Sequence, residues 1–245
     1  MKSKKNVVLV TGGNGRFGKV YRKYTKNLNI HFPTKKELNI LKINSIEKKI
    51  KKLKPKYIIH LAGLSRPMKI HDESIDKSID LNIIGTCNIT KLCFKYNIKL
   101  IYFSTHYVYP GTKGDYKEND PVLPYFNYAW SKLGGECAVS MYKNSLTLRI
   151  CMTEYPFVHK EAFDDVKNNF MFHEDLAKIL DKLIDLNGIY NIGGKRDTVF
   201  NFAKKNKFKV KPISAKNKFG KSFPLRHDMN IDKIRKYLKK NYEKN

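Results

Sequence analysis

Tyr128 and Lys132 stand four residues apart in Tyr128-Ala129-Trp130-Ser131-Lys132. On a helix that spacing puts both side chains on one face, about 5–6 Å apart. A phenol ordinarily ionises near pH ~10, and a neighbouring ammonium favours the phenolate and eases proton exchange. Such a pair suits delivery of a proton to a carbonyl that is being reduced. In a chain with 15 tyrosines and 49 lysines and arginines the spacing also arises by chance. Its weight depends on the motifs that accompany it.

The first of these is Thr11-Gly12-Gly13-Asn14-Gly15-Arg16-Phe17-Gly18. It follows an apolar run and opens a helical stretch. It satisfies GxGxxG through Gly13, Gly15 and Gly18, and TGxxGxxG through Gly12, Gly15 and Gly18. Glycine lets the turn be tight and the backbone approach a pyrophosphate, which the helix N-terminus then attracts. Directly after a strand, the loop predicts dinucleotide binding. Users of NAD commonly carry an acid at the end of the second strand, to hold the ribose hydroxyls. Here that strand runs into Pro33-Thr34-Lys35-Lys36 with no Asp or Glu. Lys35 and Arg16 are the cations within reach of a 2′-phosphate, so NADPH is expected over NADH. Lys35 also reads as one surface lysine among many.

The elements that must position these residues alternate. Strands are expected at 7–10, 29–32, 57–61, 99–104 and 146–150, and helices at 17–26, 46–53, 72–96 and 127–142. The strands are nearly unbroken hydrophobic runs, and the alternation implies a doubly wound parallel α/β sheet with helices on both faces. Ligands of such sheets bind at the carboxyl ends of the strands. Ser104 and Thr105 stand at one such end, where a hydroxyl hydrogen-bonds a substrate carbonyl or, alternatively, caps a turn. After residue 150 the pattern changes. Residues 155–169 lack periodicity. A helix is expected at 174–186, a strand at 188–192, a short helix near 198–205 and a last one near 231–239. The expected organisation is a nucleotide-binding domain at 1–150 and a small substrate-binding lobe at 151–245, packed on the first and not independent.

Composition narrows the function. The 245 residues are 41% hydrophobic, which fits a packed core. No apolar run approaches the roughly 20 residues of a membrane helix. The opening Met1-Lys-Ser-Lys-Lys and its short apolar run do not read as a signal peptide, so the cytoplasm is expected. Cys87, Cys93, Cys137 and Cys151 show no metal-binding spacing and read as buried, reduced thiols, with no metal expected. The net charge of +27 is spread along the chain rather than gathered into a patch, so nucleic acid is not the expected partner. A basic cleft attracts anionic cofactors and substrates instead.

In their order, these motifs resemble the extended short-chain dehydrogenase/reductase superfamily, and within it the dTDP-4-dehydrorhamnose reductase family. Thr11–Gly18 is similar to the family's TGxxGxxG loop, and the Thr34–Asn39 stretch to its "R-x-E-L-D" segment. Lys54-Pro-Lys-Tyr-Ile-Ile-His-Leu61-Ala62-Gly63 looks like "K-P-D-x-V-I-H-x-A-A", and Asn82-Ile-Ile-Gly-Thr like "N-x-x-G-T". Phe103-Ser-Thr-His-Tyr-Val-Tyr-Pro-Gly111 is similar to "S-T-D-Y-V-F-x-G". Later segments match too: Phe172–Ala177, Gly188–Gly194 and Phe223–Asn230, the last being similar to the C-terminal "R-P-x-x-S-x-L-D".

The resemblance implies a Rossmann-like fold with Thr105, Tyr128 and Lys132 as catalytic residues. It implies cofactor contacts from Gly12, Asn14, Gly15, Arg16, Phe17, Gly18, Thr34, Lys35, Leu61, Ala62, Gly63, Asn82 and Ser104, besides Tyr128 and Lys132. Thr105, His106, Tyr128 and Arg226 would contact a nucleotide-sugar substrate. Relatives often pair through the two long helices, which leaves a homodimer open.

Departures bear on the substrate. His106 replaces the usual Asp after the catalytic Thr. The Asp-Glu pair of nucleotide-sugar dehydratases is His106-Tyr107 here, and the Cys of GDP-fucose synthase-like enzymes is Tyr107. The segment 149–176 is shorter than the family's. The reading is an NADPH-dependent reductase of a nucleotide-linked 4-keto-6-deoxy-sugar. Two alternatives stay open: a nucleotide-sugar 4-epimerase with bound NAD, and a non-catalytic binding subunit like the regulatory subunit of methionine adenosyltransferase, which resembles the same family.

Overall fold

Four apolar runs form strands buried along their whole length: β1 (Val8–Thr11), β3 (Tyr57–His60), β4 (Lys99–Thr105) and β5 (Ser145–Ile150). Burial on both faces is what a helix-covered parallel sheet demands. With the short β2 (Ile30–His31) and the strand Gly188–Ile192 they make one six-stranded sheet. Its order is (188–192)-β5-β4-β3-β1-β2. β1 lies parallel to both β2 and β3, and β3 parallel to β4. The doubly wound α/β sheet expected from the alternation is therefore present.

The computed structural model describes residues 6–26 and 29–242. The opening residues 1–5, on which the signal-peptide reading partly rests, lie outside the described residues. Packing divides the chain into two units. The first holds Met1–Ser104, Asn127–Leu148 and Ala177–Gly188; the second holds Thr105–Phe126, Arg149–Leu176 and Ile189–Asn245. A single cut after residue 150 thus separates them only in part, because each unit takes back a piece from the other side of it.

In the first unit, helices α1 (Arg16–Tyr24) and α2 (Ile43–Leu53) connect the strands up to β3. The stretch expected as one long helix at 72–96 is broken. It forms α3 (Ile70–Glu73), α4 (Ile75–Ser78), a π-helical segment Ile79–Ile84 and α5 (Gly85–Lys95). Helix α6 (Asn127–Ser140) follows β4. The core gathers Leu9, Ile46, Ile50, Ile58, Ile89, Leu100 and Tyr102, all buried. Cys93 belongs to it, but Cys137 is exposed on α6, so the expectation of buried thiols fails there.

The second unit has its own phenylalanine-rich core around Phe157, Val166, Val199 and Ala203. The aperiodic 155–169 forms short strands, Glu161–Phe163 beside Lys211–Ile213 and Lys167–Asn168 beside Asp197–Thr198. Strands of two or three residues are too short to show a period. The helix expected at 174–186 ends early, as α7 (His173–Leu180). Helices α8 (Val199–Lys205), α9 (Ala215–Phe219) and α10 (Asp232–Tyr242) follow. Among the described residues no helix is long and apolar enough to cross a membrane, and no three His, Cys, Asp or Glu gather as a metal site.

Helix α6 lies tight against the π-helical segment. A Cβ on Gly135 would come within 2.6 Å of both the Asn82 carbonyl oxygen and the Tyr102 hydroxyl. On Gly134 its nearest neighbours would be atoms of the Ile83 side chain, the first at 2.8 Å. Alanine gains about 1 kcal/mol of helix propensity at either site, and overpacking against fixed backbone costs about 1–3 kcal/mol. Urea unfolding should show Gly135→Ala clearly destabilised and Gly134→Ala affected much less. Equal effects would mean that the two contacts are equally soft.

Candidate active site

The loop between β1 and α1 is shaped by four glycines with different reasons to be glycine. Gly12 has φ +69°, and a Cβ there would strike the Ala62 backbone nitrogen at 2.5 Å. On Gly13 it would meet the Phe32 ring at 2.6 Å, and on Gly18 the Gly13 backbone at 2.6 Å. These three serve contacts inside the protein. Gly15 is exposed, and its nearest obstacle is the Gly12 carbonyl at 3.1 Å. Close approach from outside is what a glycine there permits. Gly15 is also the N-cap of α1, supplies no side-chain cap, and is followed by a first turn without acidic residues. Backbone amides and the helix's partial positive charge thus face an open position, which fits a pyrophosphate.

Behind this loop runs a buried chain of hydrogen bonds. The Ala62 N–H donates to Thr11 Oγ1 at 3.2 Å, and Thr11 Oγ1 lies 2.7 Å from His60 Nδ1. His60 Nε2 lies 3.1 Å from Thr86 Oγ1, which donates to the Asn82 carbonyl at 2.8 Å. Since Thr86 gives its proton to a carbonyl, it accepts from His60 Nε2–H. His60 Nδ1 then accepts from Thr11. That pattern is the one of the neutral ring, which burial favours. Burial pushes its pKa down to about 3, and the Lys132 cation acts in the same direction.

Asn82 extends the chain into the π-helical segment. Its Oδ1 accepts the Leu64 N–H at 2.7 Å; its Nδ2 donates to the Leu64 carbonyl at 2.9 Å and to Ser131 Oγ at 2.8 Å. Ser131 Oγ in turn donates to the Tyr128 carbonyl at 2.7 Å. Asn82 therefore holds the segment after β3 and the first turn of α6, and a Cβ on Gly63 would meet its Oδ1 at 2.7 Å. The structure brings Leu61, Ala62, Gly63, Asn82 and Tyr128 into one bonded neighbourhood.

Helix α6 carries Tyr128 and Lys132, the pair expected from the sequence. Tyr128 is half-buried, and its ring lies 5.1 Å from that of His71. Lys132 is buried with its Nζ 4.3 Å from the centre of the Tyr102 ring. Burial pulls the Lys132 pKa down to about 7, while Glu136 one turn on pulls the other way. Glu136 also accepts the Ser104 hydroxyl at 2.7 Å, so Ser104 faces this helix.

Other expected cofactor residues are placed as follows. Arg16 donates to Ser65 Oγ at 2.7 Å. Phe17 is core, with ring centroids 5.1 Å from Phe103. Thr34 directs its N–H and its hydroxyl to Glu37, at 2.8 and 3.0 Å. Lys35 and Asn14 are exposed.

In the second unit, Thr105 Oγ1 accepts the Tyr107 N–H at 3.3 Å, the turn-capping arrangement. Accepting leaves its O–H as a donor. His106 is buried, its Nδ1 is 3.1 Å from the Ile150 carbonyl, and burial pushes its pKa down to about 4. It is a neutral group, not a cation. Arg226 is held by Asp228, its Nε 2.9 Å from Oδ1. Asp228 also takes Arg196 Nε at 2.7 Å and the Asp115 N–H at 3.0 Å. Against the cost of burial, these partners keep its carboxyl below the usual range. Arg226 is thus engaged within the unit.

Sequence reasoning missed His60, Ser131 and Glu136 as site-building residues. His60 lay inside a quoted motif, and the other two flank Lys132, but side-chain bonds between distant segments leave no spacing to read.

A family model described as the RmlD substrate binding domain matches residues 6–170. Methionine adenosyltransferase 2 subunit beta of Bos taurus is 32% identical over 175 residues, covering 67% of this chain and 51% of that protein. The Pongo abelii protein of the same name is 32% identical over 141 residues, 54% and 42% of the two chains. The chain spans about half the length of the curated relatives it matches. Among solved structures, dTDP-4-dehydrorhamnose reductase from Bacillus anthracis in complex with NADP superposes with a TM-score of 0.84. That pair is 24% identical, with 97% of this chain and 93% of that one covered. UDP-glucose 4-epimerase of Thermus thermophilus with NAD gives a TM-score of 0.77 at 18% identity, covering 94% and 92%. At these identities the likeness to the solved structures is one of fold.

The depressed pKa of Lys132 has a measurable consequence. Between about pH 7 and the ordinary lysine pKa of ~10.4, the unfolded chain keeps a proton that the folded chain has released. Stability therefore rises with pH in that window, by at most ~1.4 kcal/mol per pH unit. Burial raises the Cys93 and Cys151 thiols, which opposes this trend at the alkaline end. Both thiols are kept in Lys132→Met, so they cancel in the comparison. The stability of wild type relative to Lys132→Met, from urea unfolding at pH 6 to 9, should rise with pH. A flat or falling difference would show that Lys132 ionises normally.

Proposed function

The chain belongs to the RmlD substrate binding domain family, and from that premise we propose that it is an NADPH-dependent reductase of a nucleotide-linked 4-keto-6-deoxy-sugar, working in nucleotide-sugar and surface-polysaccharide biosynthesis. The observation that carries this reading is helix α6, which sets half-buried Tyr128 one turn before buried Lys132 and is held by the Asn82–Ser131 bond.

The open backbone at Gly15 and the start of α1 would hold the cofactor's pyrophosphate. The nicotinamide, when bound, supplies the hydride. Tyr128 donates the proton that the carbonyl oxygen takes up as it becomes an alcohol. With its pKa drawn toward neutrality, Lys132 exchanges its proton readily near pH 7. As Tyr128 becomes phenolate, that anion favours the ammonium, and Lys132 serves to return a proton to the phenol. Thr105 keeps its O–H as a donor, which suits the part in substrate binding that the family resemblance implies for it.

A second reading is favoured by the curated relatives, which carry the name of a subunit of methionine adenosyltransferase. On that reading the chain binds the dinucleotide and regulates a partner without turnover. NADPH oxidation against a panel of nucleotide 4-keto-sugars separates the two. Wild type should consume NADPH with at least one. Tyr128→Phe should bind NADPH as wild type does and lose roughly 100- to 10,000-fold in turnover. Near-full activity in that variant would remove Tyr128 as the acid. Tight NADPH binding by wild type with no turnover on any keto-sugar would favour the regulatory reading.

A further inference from the structure

Where a ribose-binding acid would stand at the end of β2, this chain has Phe32, and Phe32 carries a cation. Helix α1 sends Arg22 back over the ring, its guanidinium carbon 4.6 Å from the ring centre. The other side of the arrangement is equally specific. The ring of Phe32 lies where a Gly13 side chain would be, 2.6 Å from that Cβ position, so the stack rests on the glycine loop itself. Arg22 Nη2 also reaches Asn14 Oδ1, at the tip of the loop, at 3.3 Å. β1 and β2 run parallel with Leu9 beside His31, so the loop after β1 and the chain after β2 leave the sheet at the same edge.

We infer that Arg22 is the residue that recognises the 2′-phosphate of NADPH, and so sets the preference over NADH. The inference rests on the reading that this loop binds a nicotinamide dinucleotide. A guanidinium held over an aromatic ring still has N–H groups at its edge to offer a phosphate oxygen pair. Arg22 is exposed, and among the described residues no carboxylate pairs with it. Asn14, which takes one N–H, is a neutral acceptor that fixes direction without neutralising charge.

The two cations expected from sequence are less well placed. Arg16 is turned toward Ser65, in the segment after β3. Lys35 is on the exposed turn where Glu37 already draws in the Thr34 donors and lies 3.4 Å from Lys49, so an anion sits in that turn. The turn offers a phosphate a mixed field, whereas the Arg22–Phe32 stack offers an unpaired cation held by a rigid ring.

The test is equilibrium binding to the intact chain, by calorimetry, of NADPH, NADH, 2′,5′-ADP and 5′-AMP. Loss of a charge-assisted contact to phosphate should weaken NADPH and 2′,5′-ADP about ten- to a hundredfold in Arg22→Gln, leaving NADH and 5′-AMP within about twofold. Arg22→Lys, which keeps charge but loses the fork, should fall between. Lys35→Gln and Arg16→Gln should change the NADPH-to-NADH ratio less than Arg22→Gln does. An unchanged ratio in Arg22→Gln, or a larger change in either other variant, overturns the assignment while leaving the cofactor reading intact. Wild type that binds NADH as tightly as NADPH also overturns it. Wild type that binds neither dinucleotide overturns the cofactor reading and the assignment together. Tight, Arg22-dependent NADPH binding without turnover upholds the assignment and counts only against the reductase activity.

Discussion

The geometry of the candidate site depends on one buried run of hydrogen bonds: Ala62 to Thr11, Thr11 to His60, His60 to Thr86, Thr86 to Asn82, Asn82 to Ser131. Its members come from β1, β3, α5, the π-helical segment and α6. Polar side chains are costly to bury unless every donor and acceptor is satisfied. Here the requirement is met in one pattern of donation, and that pattern ties the end of the glycine loop to the helix with Tyr128 and Lys132. A π-helical turn changes the direction of side chains within a helix and often accompanies functional sites. Here it lets Asn82 grip both the Leu64 backbone and Ser131.

Much of this was legible in the sequence, and the reason is local. Gly12–Gly18, the buried strand runs and the Tyr128–Lys132 spacing are patterns within a dozen residues, each with a direct physical meaning. The sheet follows from them. The break in the stretch 72–96 was not legible, because a single Gly85 and a single Ser74 are tolerated within helices and the π-helical segment packs against α6 through contacts that leave no local signal. The two-residue strands of the second unit were equally hidden. Arg22 was overlooked for a related reason: it looks like any basic residue late in a helix, and only the ring of Phe32 under it distinguishes it.

The second unit follows a different logic. Its buried polar centre is a carboxylate, Asp228, that gathers Arg226, Arg196 and the Asp115 backbone. An exposed ion pair adds little to stability, but a buried carboxylate stripped of its partners is strongly destabilising. Arg226 therefore answers first to Asp228. This is a reason why a basic residue that matches a substrate-binding segment by position can have a structural duty as well, and why surface charge in so basic a chain is a poor guide to ligand contacts.

Electrostatics in the first unit comes back to the same hydrogen bonds. Lys132 lies in dry surroundings against the Tyr102 ring, with Glu136 as the opposing charge and His60 nearby. Were His60 protonated, both its nitrogens would be donors, Thr11 and Thr86 could no longer divide their roles, and a second cation would face Lys132. Burial disfavours this charge, and the neutral ring donates from Nε2 to Thr86 and accepts at Nδ1 from Thr11. Burial thus keeps His60 neutral, the bond direction at Thr86 selects Nε2 as its protonated nitrogen, and a neutral His60 spares the Lys132 ammonium a repulsion that would lower its pKa further. The burial that comes with the packing of α6 sets the charge of both His60 and Lys132, so position and proton affinity are not independent properties of this site.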